Sequence, residues 1–317
     1  MIMEHCFGAE YINFRATCKR CYLAAPLLRR SQMYSPWLMV FDNYQGFVTF
    51  IDPICGNKYT IKKPQELKGD CQILCSMYGW LLLLMFKSHA CELVFFNPFT
   101  SDIRKLPEAP CRLGSLSFSE PPTSPDCMVV GFTINGPCIH FVSREPPSWC
   151  RLDFGTTDPF SFHFPTFSGR DIYALCESKE KVEVLRDVSK EGYSHEVVVD
   201  KAPRSCRILG RLGISVEVFK LNNSTKEWEK IYDLGKHMIY ISTTSCICLE
   251  AKLPEMGNKI YFPRLLHIED TKFVFYSLQT CMYDTFDDKN IQECFGADLQ
   301  GTTYLCNPHT WIEPSWS

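Results

Sequence analysis

The spacing of apolar residues divides the chain into a short helical part and a long part made of strands. Between Glu10 and Ala25, apolar side chains recur every three or four residues, which predicts an amphipathic helix that ends before Pro26. From Trp37 onward the apolar runs are short, alternate with polar positions, and are separated by Gly, Pro, Asn and Asp. This second pattern predicts an all-β region of roughly twenty short strands. The predicted strands lie near 37–42, 46–52, 57–61, 71–76, 79–86, 91–97, 102–106, 127–134, 137–143, 148–153, 162–167, 170–176, 181–186, 194–199, 206–211, 214–221, 227–232, 238–241, 246–251, 258–262 and 272–278.

Similar hairpins recur along the strand-rich part. The segment 50–61 aligns with 95–106, since each contains a strand, an Asp-Pro or Asn-Pro turn, and a second strand. The segment 219–231 repeats the arrangement with a polar turn. Asn and Asp tolerate the backbone angles of such turns, and Pro presets one of them. Asp52 and Asn97 are about 45 residues apart, which is the period of a four-stranded propeller blade.

This period predicts the domain organisation. Residues 31–317 are long enough for a β-propeller of about six blades, with a range of about five to seven because the later repeats are less regular. Residues 1–30 are predicted to form a short α-helical segment before it. Gly46, Gly79 and Gly136 open or precede strands in the first three repeats. Propellers close by pairing strands from opposite ends of the chain, so we expect the aromatic tail 304–316 to pack in the body and complete a blade.

Composition limits the kinds of partner and compartment. Hydrophobic residues make up 45% of the 317 residues and charged residues 22%, which is typical of a folded protein. The net charge is −3 and no basic cluster stands out, so we expect no nucleic-acid partner. The longest apolar run, 80–86, is far shorter than a membrane span and is predicted to be a buried strand. No signal-peptide pattern precedes Arg30, so a cytoplasmic or nuclear location is predicted.

Cysteine is unusually frequent, with 18 residues against 17 glycines. In a reducing compartment these thiols are expected to be core filler rather than disulfides. Cys18 and Cys21 form one C-x-x-C pair, with His5 and Cys6 upstream, but structural zinc usually needs a second half-site. We therefore predict no metal site and no cofactor. The pairs Cys246/Cys248 and Cys71/Cys75 lie in apolar stretches typical of core strands.

Catalytic motifs are absent from the sequence, including the Ser-hydrolase elbow, the phosphate-binding loop and the zinc-protease helix. Some propellers hydrolyse glycosides with two carboxylates in a central pocket. Asp42, Asp153 and Asp171 are candidates for such a pair, but acids at strand ends are more often turn formers. The chain is therefore predicted not to be an enzyme, and a pocket enzyme is kept as the less favoured alternative.

Two further segments have a functional and a structural interpretation. The proline-rich segments 121–125 and 146–147 resemble polyproline ligands, but interblade loops explain them more simply. Glu227–Lys230 resembles a recognition patch, but a strand with a core Trp228 and solvated charges explains it better.

Particular motifs resemble a known family. Glu10–Ala25, with its core Phe14–Lys19, is similar to the C-terminal half of a plant F-box, the helical module that binds the Skp1 adaptor. The body resembles the propeller of plant F-box/kelch-repeat-like proteins, related to the kinase-inhibiting propellers of brassinosteroid signalling. The residues that carry this second resemblance are Gly79-Trp80, Phe96–Thr100, Lys105–Pro107, Val218–Leu221, Trp228-Glu229, Ile260–Phe262 and Trp311–Ser315.

The resemblance implies a function and a set of site residues. The chain would be the substrate receptor of a Skp1–cullin–F-box ubiquitin ligase and would bind an unknown protein target through propeller loops. Its adaptor-binding residues would be Tyr11, Ile12, Phe14, Cys18 and Leu23. Two departures from the family make the F-box incomplete: it normally begins upstream of the position of Met1, and its usual Trp is replaced by Cys21. The alternative is a stand-alone interaction protein, for instance a kinase-binding regulator that does not recruit a ligase.

Overall fold

Antiparallel sheets arranged in a ring make up the fold. The computed structural model describes Arg20 and residues 35–42, 45–53, 58–87, 91–109, 113, 115–133, 136–143, 145–152, 162–176, 181–189, 192–199, 216–222, 224–242, 244–263, 273–284 and 309–315. Within the described residues from 35 onward, the only helical elements are two single 3-10 turns, Gln65–Leu67 and Pro254–Met256. The all-β prediction is therefore confirmed. The predicted F-box helix falls outside the described residues, apart from Arg20.

Four sheets contain four strands each. The first has the order β23-β1-β2-β3, with β1 (Trp37–Asp42), β2 (Phe47–Ile51), β3 (Lys58–Lys62) and β23 (His309–Ile312). The second consists of β4 (Cys71–Met77), β5 (Trp80–Phe86), β6 (Cys91–Asn97) and β7 (Asp102–Lys105). The third consists of β8 (Leu116–Phe118), β9 (Met128–Thr133), β10 (Gly136–Phe141) and β11 (Trp149–Arg151). The fourth consists of β12 (Phe162–Ser168), β13 (Asp171–Cys176), β14 (Lys181–Arg186) and β15 (Ser194–Val199).

The remaining strands form a hairpin and a five-stranded sheet. The hairpin pairs β16 (Val218–Asn222) with β17 (Glu227–Ile231). The fifth blade has the order β19-β18-β20-β21-β22, and β18 runs parallel to β20. Its strands are β18 (His237–Ile241), β19 (Cys246–Glu250), β20 (Lys259–Phe262), β21 (Val274–Ser277) and β22 (Met282–Asp284).

The favoured number of six blades is wrong, although five lies within the predicted range of five to seven. In the part of the chain that is described, five sheets have four or more strands, and the β16–β17 hairpin has two. The prediction divided the chain by one fixed period, but the blades consume unequal lengths. The second blade spans 71–105, whereas the fifth spans 237–284 and contains a fifth strand.

Apolar side chains between neighbouring sheets form the core. Separate clusters join the first blade to the second, the second to the third and the third to the fourth. Further clusters join the fourth blade to the hairpin, the hairpin to the fifth blade, and the fifth blade back to the first. Because each sheet is covered on both sides, an inner strand is apolar throughout, as β5 is. The predicted strand at 80–86 is therefore confirmed, and it is buried except at its end, where Phe86 is exposed.

The two ends of the propeller pair with each other in the first blade. Trp37 pairs with Ile312 and Leu38 with Trp311, which confirms the prediction that the tail completes a blade. Trp311 is fully buried; its backbone N–H donates to Ser245 Oγ at 3.1 Å and its indole N–H to the Ile241 carbonyl at 3.1 Å. These bonds connect the closing strand to the fifth blade.

Antiparallel strands place their turns on two faces of the ring. We call the face that holds residues 313–315 the tail face; it also carries the β4–β5, β6–β7 and β18–β19 turns. The β1–β2 and β5–β6 turns, residues 232–236 and the β21–β22 turn lie on the other side, which we call the opposite face. The chain enters β1 at Trp37, which lies at the tail face beside Ile312.

Two of the predicted hairpin turns have the same geometry. Asn97 Oδ1 accepts the N–H groups of Phe99 at 2.9 Å and Thr100 at 3.2 Å. Asn222 Oδ1 accepts the N–H groups two and three residues later at the same two distances. In each turn the fourth residue after the asparagine has positive φ, 62° at Ser101 and 61° at Lys226. The repeat seen in the sequence therefore corresponds to a repeated local structure.

Candidate protein-interaction surface

The predicted adaptor-binding residues are not among those that the structure describes. Tyr11, Ile12, Phe14, Cys18 and Leu23 all precede residue 35, where continuous description begins. Their assignment stays a prediction. The candidate site described below is therefore on the propeller.

Large exposed apolar side chains concentrate on the opposite face. Five such side chains occur among the described residues, and four of them lie at this face: Phe47 (38% exposed), Phe86 (43%), Tyr232 (72%) and Met282 (44%). The fifth, Val197, lies on the outer strand β15. We call the first four residues the apolar arc.

Strand ends and turns position the arc. Phe47 begins β2 directly after Gly46, whose φ of +73° turns the chain. Phe86 ends β5, and its N–H donates to the Asp70 carbonyl at 3.0 Å. Tyr232 follows β17, and Met282 begins β22. Each side chain therefore extends from the end of a hydrogen-bonded sheet, where the backbone is held in place.

The arc follows consecutive sheets of the ring. Its members belong to the hairpin, the fifth blade, the first blade and the second blade, which contact each other in that order. In the described parts of the third and fourth blades, no large apolar side chain is exposed on this face. The large exposed apolar side chains described on this face therefore lie on four consecutive sheets of the ring.

Lysines accompany three of the four arc residues. Phe47 pairs across the sheet with Lys62, and Phe86 precedes Lys87. Lys87 Nζ lies 2.5 Å from Glu92 Oε2, and its hydrogen bond is the main reason that the pKa of Glu92 is lowered. Lys230 Nζ lies 5.3 Å from the centre of the Tyr232 ring and 2.5 Å from Glu217 Oε1. The hydrogen bond that Lys230 donates to Glu217 is the largest cause of the raised pKa of Lys230. The apolar arc thus has a charged margin, the usual arrangement of a protein interface.

The proline-rich segments lie on the tail face. The segment 121–125 connects β8 to β9, and 146–147 connects β10 to β11. Both are therefore turns within the third blade, rather than the interblade loops that were predicted. Arg104 Nη1 donates to the carbonyl of the buried Pro122 at 2.9 Å, which ties the first segment to the second blade.

The carboxylates considered for catalysis have structural partners. Asp42 Oδ1 accepts the N–H of Gln45 at 2.8 Å and forms a turn. Asp171 Oδ2 lies 2.5 Å from Arg186 Nη1, and Asp171 belongs to the fourth blade, whereas Asp42 belongs to the first. Asp153 is outside the described residues. The structure does not bring Asp42 and Asp171 together in one pocket.

The predicted core role of cysteine holds for only some of the thiols. Ten cysteines are described, and Cys71 and Cys75 are buried in β4 as predicted. Cys246 and Cys248 lie in a strand, but the prediction that they are core residues is wrong. They are exposed because β19 is the edge strand of the fifth sheet, with β18 as its single strand neighbour. Trp228, by contrast, packs between sheets as predicted, and Glu227, Glu229 and Lys230 are exposed.

The described segments contain no candidate for two other kinds of site, a metal centre and a membrane-spanning helix. There, no three His, Cys, Asp or Glu residues are grouped so that they would hold a metal ion. No described helix has the length and hydropathy needed to cross a bilayer.

Sequence comparison gives the family of this propeller. Residues 47–284 match the KIB1-4 beta-propeller family. The chain belongs to this family. An F-box/kelch-repeat protein of Arabidopsis thaliana is 27% identical over 330 residues, which cover 95% of this chain and 89% of the relative. An F-box protein of the same plant is 33% identical over 331 residues, which cover 96% of this chain and 81% of the relative.

These matches confirm the resemblance to plant F-box proteins with a KIB-type propeller, and they indicate a protein-interaction role. Among solved structures, a functionally unknown protein from Desulfotomaculum acetoxidans superposes with a TM-score of 0.44 at 10% identity, covering 87% of this chain and 86% of its own. That likeness is too weak to support any argument about function.

Sequence reasoning did not find the apolar arc. Phe47 and Phe86 occur at the ends of apolar runs, where a buried and an exposed side chain give the same pattern. Tyr232 is the last residue of the predicted strand 227–232 and precedes Asp233, the one local signal of an exposed aromatic residue. Whether such a residue is covered depends on the neighbouring sheet, which the local sequence does not specify.

Proposed function

We propose that this chain is the target-recognition subunit of a Skp1–cullin–F-box ubiquitin ligase and that it binds its protein target on the opposite face. The observation that carries the proposal is the apolar arc of Phe47, Phe86, Tyr232 and Met282 on a propeller whose relatives are F-box proteins. Aromatic residues and methionine are enriched at the centres of protein interfaces, where a few of them supply most of the binding energy.

The position of the chain's entry into the propeller agrees with this division of roles. The segment that resembles an F-box precedes Ser35, and the propeller begins at Trp37 on the tail face. The arc lies at the other ends of the strands. An adaptor held through residues 1–30 would therefore approach from the side away from the target.

Adaptor binding is tested with the full chain and a purified Skp1-type adaptor. We expect Phe14→Ala and Leu23→Ala each to weaken capture of the chain by the adaptor, because both remove apolar side chains from the predicted adaptor-facing helix. Thr17→Ala is the matched control in the same segment and is expected to have little effect. If neither the chain nor a version extended by a complete F-box binds the adaptor, the ligase proposal is wrong.

Target binding is tested by proximity labelling in plant cells with arc variants. We expect Phe47→Ser and Tyr232→Ser each to reduce labelling of the proteins enriched by the wild-type chain by about tenfold or more, since one hot-spot residue contributes about 2 kcal/mol or more. Val197→Ser removes an equally exposed apolar side chain outside the arc and is the control. Unchanged labelling with both arc variants would contradict the placement of the target site.

A second candidate function is a stand-alone regulator that binds a kinase without recruiting a ligase. It is supported by the match to the KIB-type propeller rather than by the F-box-like segment. The two experiments separate the candidates, because a stand-alone regulator would lose its partner in the arc variants but would not bind the adaptor. We propose no catalytic role for the chain itself, since any ubiquitin transfer would be performed by the associated ligase.

A further inference from the structure

A lysine and a cysteine meet inside the connection between the first and second blades. Lys63 follows β3, Cys71 begins β4, and the chain between them contains the single 3-10 turn 65–67. Lys63 Nζ lies 3.2 Å from Cys71 Sγ. Both residues are buried, with 8% of Lys63 and 4% of Cys71 exposed. Lysine is rarely buried to this extent, so its neighbours need an explanation.

Three contacts besides the one with sulfur position the Lys63 side chain. Its Nζ donates to the Gly69 carbonyl at 2.9 Å and lies 5.4 Å from the centre of the Phe41 ring. Its backbone N–H donates to the Gly46 carbonyl at 2.8 Å, which fixes the start of the side chain. The Nζ–Sγ separation is within the range of about 3 to 3.5 Å in which two bound groups are positioned to react.

A lysine beside a cysteine favours the thiolate, which is the form of sulfur that peroxide oxidises. Cys75, four residues later on the same strand, has the opposite environment, because burial raises the pKa of its thiol to about 11. Cys127 is similar, with a pKa raised by burial to about 12. Of these three cysteines, Cys71 is the one whose sulfur contacts the side-chain amine of a lysine, Lys63.

We propose that Lys63 and Cys71 form a peroxide-responsive modification site, in which oxidised Cys71 is captured by Lys63 as a sulfenamide cross-link. Hydrogen peroxide first transfers one oxygen to the thiol, giving sulfenic acid and one water. The Lys63 amine then attacks the sulfur, an S–N bond forms, and the S–O bond breaks. The hydroxyl group leaves as a second water with a proton from the amine. A thiol reductant reverses the product, restoring the amine and the Cys71 thiol.

Access to the sulfur is provided by the connection itself. Lys68, Gly69 and Asp70, which directly precede Cys71, are all exposed. Local opening of Lys68 and Gly69 admits a molecule as small as peroxide. The cross-link would then fix the connection, and with it Lys62 and its cross-strand neighbour Phe47. The inference does not depend on ligase recruitment.

The test is peptide mapping of the intact chain after graded exposure to hydrogen peroxide. The expected product is a linked pair of peptides, one containing Lys63 and the other Cys71, that is two hydrogens lighter than the separate reduced peptides. It should disappear after treatment with dithiothreitol. Cys75 should remain a thiol at peroxide doses that produce the link.

Variants distinguish the cross-link from simple oxidation. Lys63→Arg keeps a cation but lacks an attacking primary amine, so we expect the link to be lost and dimedone to trap Cys71 sulfenic acid instead. Cys71→Ser should lose both signals, and near-ultraviolet circular dichroism reports whether either variant is folded. The proposal is overturned if wild-type Cys71 stays a thiol at doses that fully oxidise the exposed Cys91. It is equally overturned if Cys71 proceeds to sulfinic acid while Lys63 remains unlinked.

Discussion

Substituting Gly79 with alanine tests how the last residues of the chain hold the ring closed. Gly79 lies in the β4–β5 turn with φ of +78°, a conformation that favours glycine. A Cβ added there would lie 2.2 Å from Ser315 Cβ and 2.9 Å from the Glu313 carbonyl oxygen. Because these atoms belong to the segment that follows β23, an alanine side chain must displace that segment.

The size of the effect follows from two terms. The backbone strain of alanine at positive φ costs about 1 to 2 kcal/mol. Displacing the tail also removes the 3.2 Å hydrogen bond from Asn97 Nδ2 to the Ser315 carbonyl and exposes part of the buried Pro314. These losses cost about 2 kcal/mol more. The free energy of unfolding should therefore fall by about 3 to 4 kcal/mol.

The assay is thermal unfolding followed by circular dichroism, with Gly46→Ala as the matched control. Gly46 has a similar φ of +73°, but a Cβ there would meet nothing within 4 Å. The Gly46→Ala variant therefore measures the cost of backbone strain alone. For a chain of this size, each kcal/mol corresponds to about 2 °C in Tm, so Gly79→Ala should lower Tm by about 4 °C more than Gly46→Ala. Adding Ser315→Gly removes the nearest clash and should recover part of that difference. Equal Tm values for the two alanine variants, or no recovery with Ser315→Gly, would refute the reasoning.

Three further perturbations have expected outcomes. Burial lowers the pKa of His309 to about 4. The free energy of unfolding of the wild-type chain should therefore be highest above pH 6.5 and fall by on the order of 3 kcal/mol as the pH drops to 4. In urea titrations, His309→Gln should lack this pH dependence. Burial raises the pKa of Asp171, but hydrogen bonds from the Asp187 N–H and Arg186 outweigh it and the net pKa is lowered. Asp171→Asn should therefore destabilise the chain near pH 7 and progressively less as the pH falls below 4, and an unchanged gap between the two unfolding curves would argue against the ion pair. Ser245→Ala removes the acceptor for the buried Trp311 N–H and should cost about 1 to 3 kcal/mol in denaturant unfolding, with Ser224→Ala in an exposed turn as a near-neutral control.

Local structure was the part most accessible from sequence. The predicted strands at 37–42, 91–97, 181–186 and 194–199 have the observed bounds, because turn residues and apolar alternation mark both of their ends. Gly46, Gly79 and Gly136, noted as preceding strands, all have positive φ. The short strands β8 and β22 were missed, since three residues are too few to show a period.

Properties that depend on the arrangement of sheets were not accessible. The blade number failed because chain length per blade varies, and the exposure of Cys246 followed from its place on an edge strand. The contact of Lys63 with Cys71 arises from the path of a connection that has no apolar period. In each case the property depends on which sheets and connections are neighbours in the folded chain, and the local sequence pattern does not specify those neighbours.

The pairing of β23 with β1 gives the proposed function a geometric consequence. It fixes Trp37, the point at which the chain enters the propeller, to Ile312 on the tail face. Ser76 Oγ donates to the Trp311 carbonyl at 2.8 Å, so the same strand is also held to the second blade. The entry point of the propeller on the tail face is thus joined to the arc by hydrogen-bonded sheets. Weakening the pairing of β23 with β1 should then reduce ligase-dependent labelling of a target more than it reduces target binding. Labelling by the ligase requires a fixed orientation between the tail face and the opposite face, whereas target binding requires only the arc.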